Sequence, residues 1–216
     1  MNVYAELRSS FRRTDQAAST TPDIPMKPSG DLQLEQTPAV EADPRYTWVE
    51  WDESSPPKLA ELVSKFKPLD KDAGHAAACW LKTEAQSDLF TVTHLLTSEA
   101  RLEGFITCRV SEATLTWSGV ESLGVSREES RKTVPAYLLC WCAKHRETSM
   151  DGEELILNAI RLGKEVRRYG CAVLALDPHD DVTAEKVWQR KYGFRLGAKP
   201  TDSDRHPRLW TPLSTD

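Results

Sequence analysis

Cys171-Ala172-Val173-Leu174-Ala175-Leu176, an apolar run set between two helical segments, decides the fold. The segment before it, Glu153–Tyr169, carries Leu155, Ala159, Leu162 and Val166 at the 3.6-residue spacing of a helix with one buried face. Gly170 stops that helix, since glycine takes the left-handed conformation a helix end asks for. Beyond Leu176, Asp177-Pro178-His179-Asp180-Asp181 reads as a turn, and Asp181 or Thr183 caps a second helix that runs into Tyr192-Gly193-Phe194-Arg195. Gly193 is the C′ residue of that helix, and Arg208-Leu209-Trp210-Thr211-Pro212-Leu213 follows as a closing strand. Strands interleaved with amphipathic helices predict a sheet with helices packed on it.

Upstream, Pro135-Ala136-Tyr137-Leu138-Leu139-Cys140-Trp141-Cys142-Ala143 is a near-continuous apolar run. A run of this kind suits a central strand buried on both faces. His145–Gly152 is then the polar loop between that strand and the helix. Leu89–Leu96 and Gly104–Val110 read as a hairpin, with Ala113–Trp117 continuing the sheet and Glu121–Thr133 an exposed loop or short helix. Tyr46–Trp51 alternates as a first strand. Pro56-Pro57 opens a helix with Leu59, Leu62, Val63 and Phe66 on one face, and Pro68 ends it. Asp70 or Asp72 caps a further helix, Ala73–Ala85, with Ala76, Ala77, Trp80 and Leu81 turned inward. The order β-α-α-β-β-(β)-β-α-β-α-β predicts an α/β (α+β) domain over residues 46–216, with a central mixed, mostly antiparallel sheet flanked by helices. Residues 1–45 are rich in Ser, Thr, Pro, Asp and Gln and read as a disordered or weakly ordered tail. The alternative there is a docking helix, Val3–Phe11, with a Val3, Leu7, Phe11 stripe for the body or a partner.

The chain has 216 residues, 39% hydrophobic and 28% charged, with a net charge of −5. That composition fits a globular protein and argues against a general nucleic-acid clamp, which needs clustered cations. Arg161, Lys164, Arg167 and Arg168 nonetheless form a basic helix face, read as solvated or as facing RNA. No apolar run approaches the roughly 18 residues of a membrane helix, and no secretory signal is seen, so a cytoplasmic protein is expected. The five cysteines are irregularly spaced among apolar neighbours and read as buried thiols of a reducing compartment. Cys140 and Cys142, two apart, read as neighbours on one strand face. Neither they nor the histidines have metal-ligand spacing, so no metal is expected. The chain holds no G-x-S-x-G, H-E-x-x-H, Walker A or G-x-G-x-x-G motif.

The element order and several local patterns resemble the GNAT superfamily of acyl-CoA N-acyltransferases over about residues 46–213. The toxin-like branch is the best match. Phe66, Leu69-Asp70-Lys71-Asp72 and Trp80-Leu81 follow its start, and Gly104-Phe105-Ile106-Thr107-Cys108 its second paired strand. Pro135–Ala143 stands as the strand before the loop, and Ala184-Glu185-Lys186-Val187-Trp188 with Gly193-Phe194 as the ending. The resemblance implies acetyl transfer from acetyl-CoA to an amine: a small molecule, a protein or the amino group of aminoacyl-tRNA. It places acetyl-CoA where the central strand splays from its neighbour, with the pyrophosphate on a Gly-rich loop at the next helix N-terminus, a favourable seat for an anion. Cys142, Ala143, Lys144, Arg146, Gly152, Glu153, Asp181 and Trp188 are the cofactor-binding candidates this implies. Partners implied are the amine acceptor and a homodimer or a partner protein held through the tail.

The loop departs from the family pattern. Met150 stands where a glycine is usual and Glu147 where Gln or Arg is, which predicts a weaker grip on pyrophosphate. Gly152 with Glu153 and Glu154 reads equally as an ordinary helix start. Trp188 stands where the family carries a tyrosine general acid, and an indole N–H is a donor with no useful acidity. Tyr192 is the nearest phenol and the candidate acid. His145, at the mouth of the loop, is the candidate base, since its pKa falls near working pH. Glu112 and Glu121 are alternative bases. The competing reading is a GNAT-fold protein without catalysis, acting as a binding module.

Overall fold

The computed structural model describes residues 45–125, 132–178, 184–199 and 207–213. The predicted tail up to residue 44, its Val3–Phe11 helix, and the predicted caps Asp181 and Thr183 lie outside the described residues.

The strands are β1 (Thr47–Trp51), β2 (Val92–Thr97), β3 (Leu102–Thr114), β4 (Thr133–Lys144), β5 (Val173–Leu176), β6 (Arg195–Leu196) and β7 (Leu209–Pro212). The helices are α1 (Pro57–Ser64), α2 (Ala73–Thr83), α3 (Trp117–Ser122) and α4 (Glu153–Arg167), followed by a π-helix, Ala184–Gln189. The strands make one sheet in the order β1-β2-β3-β4-β5-β7-β6. Its pairs are antiparallel except β4 with β5, which is parallel. A parallel pair needs a crossover, and α4 supplies it.

Alternation along the strands sorts the core onto two faces. Ile106, Cys108, Tyr137, Leu139 and Leu174 point to α4 and pack with Leu155, Ile156 and Ala159. Phe105 and Leu95 point the other way, to α1 and α2. Ala136, Leu138 and Ala175 share that second face lower down and meet α3 and Trp210. Gly119 lets α3 sit close, since an added Cβ there would stand 2.9 Å from the Trp210 ring. At the start of α2 the carboxylate of Asp70, rather than Asp72, does the capping: it accepts from the Gly74 amide at 3.1 Å and the Asp72 amide at 2.9 Å.

Several expectations change in the structure. β2 begins at Val92, so Leu89 and Phe90 are exposed, while β3 runs on to Thr114 and absorbs part of the stretch expected to continue the sheet. In α2, Ala76 is exposed and Ala78 buried, because the buried stripe rotates to follow Ala77, Trp80 and Leu81. Cys79 is exposed rather than buried, with its sulfur 3.7 Å from His75 Nε2. Cys140 and Cys142 do not share a face. The register passes from Thr107↔Trp141 to Cys108↔Leu139, leaving Cys140 as an extra residue in β4. A bulge of one residue reverses the alternation beyond it. Cys142 therefore joins the α4 side and Cys140 the α3 side.

Candidate active site

The bulge at Cys140 marks where β4 parts from β5. Their pairing covers Ala136–Leu139 against Val173–Leu176 and stops there, while β4 continues to Lys144. Past the bulge, β3 still flanks one edge of β4, and His145 N–H donates to the Glu103 carbonyl on that side. Among the described residues the other edge is met at its far end, where Leu69 N–H donates to the Lys144 carbonyl at 2.9 Å and Arg146 N–H to the Lys67 carbonyl at 2.9 Å. Polar backbone groups of alternate residues share an edge. The Cys142 amide thus faces the same opening as the Lys144 carbonyl.

A cleft of about 270 Å³ lies along this opening. β4 contributes Cys142, Ala143 and Lys144; α4 contributes Gly152, Leu155 and Ile156. Leu69, Asp70, Ala73 and Gly74 form a second wall, and Val187, Trp188 and Tyr192 a third. Trp188 is fixed by rings on both sides, Tyr192 at 5.8 Å and Phe194 at 5.6 Å between centroids. Trp188 lies in the π-helix and Tyr192 in the turn after it, where the Tyr192 N–H donates to the Val187 carbonyl at 3.3 Å, and both side chains line the cleft. The helix end is closed by Gly193 at φ 67°, with Phe194 N–H donating to the Trp188 carbonyl. Burial pushes the Cys142 thiol up to about 12, so it stays protonated and supplies no thiolate.

At the α4 end of the cleft, two of the backbone donors that would attract an anion, the Glu153 and Glu154 amides, are already engaged. Asp151 Oδ1 accepts from the Glu153 amide at 3.1 Å, and the Asp151 carbonyl accepts from the Glu154 amide at 3.2 Å. The Glu153 amide, and after it the Lys191 charge, hold the Asp151 carboxyl below the usual carboxylate range. Lys191 Nζ stands 3.7 Å from both Asp151 and Glu153 carboxylates. Lys144 Nζ donates to the Met150 carbonyl at 3.0 Å, which fixes the loop from the β4 side. Met150 itself is turned into the α4-side core, and Glu147 is paired with Arg101 and Arg146 away from the cleft. The two residues expected to disturb a phosphate seat thus face elsewhere. Asp151 is the acidic residue beside it: its exposed carboxylate holds the Glu153 amide next to Gly152, just outside the cleft lining, and its signal in the sequence is an acidic residue just before Gly152 at a helix start.

Of the candidate residues, the structure brings together Cys142, Ala143, Lys144, Gly152, Trp188 and Tyr192. Glu153 borders the group through Lys191, and Asp181 lies outside the described residues. Arg146 and His145 are directed elsewhere. Arg146 pairs with Glu147 at 3.5 Å. His145 lines a separate hollow of about 350 Å³ with Phe66, Lys67, Arg101 and Glu147. Its ring packs against Phe66 at 5.7 Å, and Nδ1 accepts from the Glu147 amide at 3.2 Å. Strand alternation explains the split: consecutive residues Lys144 and His145 point to opposite faces. Among the described residues no group of three or more His, Cys, Asp or Glu is placed to hold a metal ion.

His145 is 7% exposed, and burial holds its pKa below the ordinary histidine value, with Glu147 partly opposing. Burial lowers His94 in the same way, against Glu50. A depressed folded-state pKa means that the unfolded chain binds the proton first. Stability is then complete above about pH 6.5 and falls as pH drops through the window below it. The slope is at most about 1.4 kcal/mol per pH unit for each histidine. Urea midpoints at pH 7.5 and pH 5.0 check this: the midpoint falls in acid, and His145→Asn flattens part of the slope.

No protein-family model matches the sequence, and no curated protein does. Solved structures do match. A tyrosine-to-phenylalanine mutant of KacT superposes with a TM-score of 0.60 at 15% identity, over 78% of this chain and 95% of that one. The fold is the GNAT fold. AtaT in complex with acetyl-methionyl-tRNAfMet matches with a TM-score of 0.56 at 14% identity, over 77% of this chain and 94% of that one. AtaTR bound with acetyl-CoA matches with a TM-score of 0.51 at 14% identity, over 78% and 94%. In this GNAT-fold chain, as the topology requires, the splayed β4 edge and the start of α4 border the same cleft. Among the described residues no helix is long and apolar enough to cross a membrane.

Proposed function

We propose that the chain is an N-acyltransferase that takes an acyl group from acetyl-CoA or a related thioester and gives it to an amine. One observation carries this reading: β4 leaves β5 at the Cys140 bulge and opens a cleft that has a free strand edge on one wall and a phenol, Tyr192, on another. An extended acyl-thioester arm has amides that can pair with such an edge as an added strand does. Likeness to a toxin bound to acetyl-methionyl-tRNA favours aminoacyl-tRNA as the acceptor class.

The chemistry follows from the walls. The amine nitrogen attacks the thioester carbonyl carbon, and the developing oxyanion accepts a hydrogen bond from the β4 amide edge at Cys142, a preorganised donor. The carbon–sulfur bond breaks. The thiolate takes the phenol proton of Tyr192, water restores that proton, and the ammonium proton leaves to solvent. His145 faces the other hollow and has no part in this sequence. A positioned general acid is worth about 10²-fold or more. Tyr192→Phe should therefore lower kcat about 100-fold with little change in KM for the thioester, read as thiol released in the presence of aminoacyl-tRNA. Equal kcat in the variant would pass the proton role to water. Absence of thiol release from the native chain, with aminoacyl-tRNA and with simple amines alike, contradicts the reading.

A binding module without transfer is the second reading, and the engaged α4 donors favour it. Its mark would be saturable thioester binding with no thiol release.

A further inference from the structure

The cleft and the start of α4 make opposite demands on a thioester donor. The cleft is mostly apolar and has room for a neutral, extended arm. Its α4 end is a poor place for a second anion. Asp151 occupies the Glu153 amide, and Glu153 and Glu154 add two more carboxylates in the first turn. Among the described residues, the ammonium groups recorded at this end are already used: Lys191 on Asp151 and Glu153, and Lys144 on the Met150 carbonyl. A helix N-terminus attracts an anion through its free N–H groups and its dipole. Here a carboxylate of the chain takes that role, so a diphosphate arriving there would have to displace it and would meet like charge.

Gly152 sharpens the point. Its φ is −60°, open to any residue, and an added Cβ would meet only Lys144 Cδ at 3.8 Å. The chain's own conformation and packing therefore do not demand glycine. What an absent side chain leaves at Gly152 is clearance between β4 and α4, on the route by which an arm lying along β4 would leave the cleft.

We propose that the cleft recognises its donor by the acyl-pantetheine arm alone, and that Asp151 is the specificity residue that refuses a diphosphate at the start of α4. This rests on the thioester reading above and narrows it. The donor is an acyl-pantetheine thioester whose carrier places no phosphate on α4. The arm's amides pair with the open edge of β4, its apolar part lies against Leu155, Ile156 and Trp188, and the Asp151–Lys191 pair stands beside the cleft, next to the lining residues Gly152 and Tyr192.

The test is calorimetric titration of the full chain with S-acetylpantetheine, which has no phosphate, and with acetyl-CoA. The native chain should bind the two with dissociation constants within about threefold of each other. Asp151→Asn keeps an acceptor for the Glu153 amide, so the helix end is preserved, and removes the charge. It should shift the ratio about five- to tenfold in favour of acetyl-CoA. Native binding of acetyl-CoA more than about tenfold tighter than S-acetylpantetheine overturns the proposal while leaving the thioester reading intact. So does a ratio that Asp151→Asn does not move. Failure of both ligands to bind removes the thioester reading and the proposal with it.

Discussion

Trp210→Ala should cost about 3–5 kcal/mol, the range for deleting a fully buried aromatic. That is a large part of the roughly 5–15 kcal/mol that holds a domain together. Trp210 is 1% exposed and lies in β7, which pairs with β5 through Ala175 and with β6 through Arg195. Its ring fills the space under α3, tight against Gly119, and joins Val120 and Leu115 to Ala136 and Ala175. The indole Nε1 donates to the Leu196 carbonyl at 3.3 Å, and the Arg195 guanidinium lies 5.4 Å from the ring centroid. Alanine would leave a cavity between helix and sheet and a carbonyl without its donor. Trp210→Phe keeps most of the volume and should cost about half as much. Urea unfolding measures both; a loss under about 1 kcal/mol for the alanine variant would mean that α3 and β7 do not share this core.

Much of the fold was legible because the decisive segments have a clear period or none. The Leu155–Ala159–Leu162 stripe could only be a helix with one buried face. Pro135–Ala143, apolar throughout, suited a strand buried on both sides, and Ala136–Leu139 are so buried. The same uniformity hid the bulge. Where every residue is apolar, no alternation marks the point at which the faces exchange, so Cys140 and Cys142 read as facing one way. Leu89 and Phe90 show the converse error: their β propensity is high, yet pairing with β3 begins only at Val92↔Cys108. Propensity without a partner strand leaves a residue at the surface.

The candidate site was legible in its walls and less so in its charges. Cys142, Lys144, Gly152, Trp188 and Tyr192 meet around one cleft because β4, α4 and the π-helix converge there. His145 and Arg146 were indistinguishable from Lys144 by sequence position; alternation sends His145 to the face opposite Lys144, while Arg146 lies in the turn beyond the end of β4 and pairs with Glu147. Asp151 passed as one polar residue in a polar loop. Its weight comes from geometry, since a carboxylate on the Glu153 amide takes the contact a ligand phosphate would use.

The second large effect concerns binding. Gly152→Trp places an indole at the wall between β4 and α4, beside Lys144, where the cleft needs clearance. The backbone at φ −60° accepts the change, and losing glycine at a position without a side-chain cap costs only a few tenths to about 1 kcal/mol. Thioester affinity should fall at least about 30-fold, some 2 kcal/mol, while the urea midpoint moves little.

The most direct measurement of the central claim follows backbone amide resonances of the native chain and of Gly152→Trp as S-acetylpantetheine is added. A thioester cleft on the open edge of β4 predicts saturable shifts at Cys142, Lys144 and Leu155 in the native chain, and their loss in the variant at the same concentration. Shifts confined to Arg101 and His145, no shifts at all, or equal binding by the Gly152→Trp variant would contradict it.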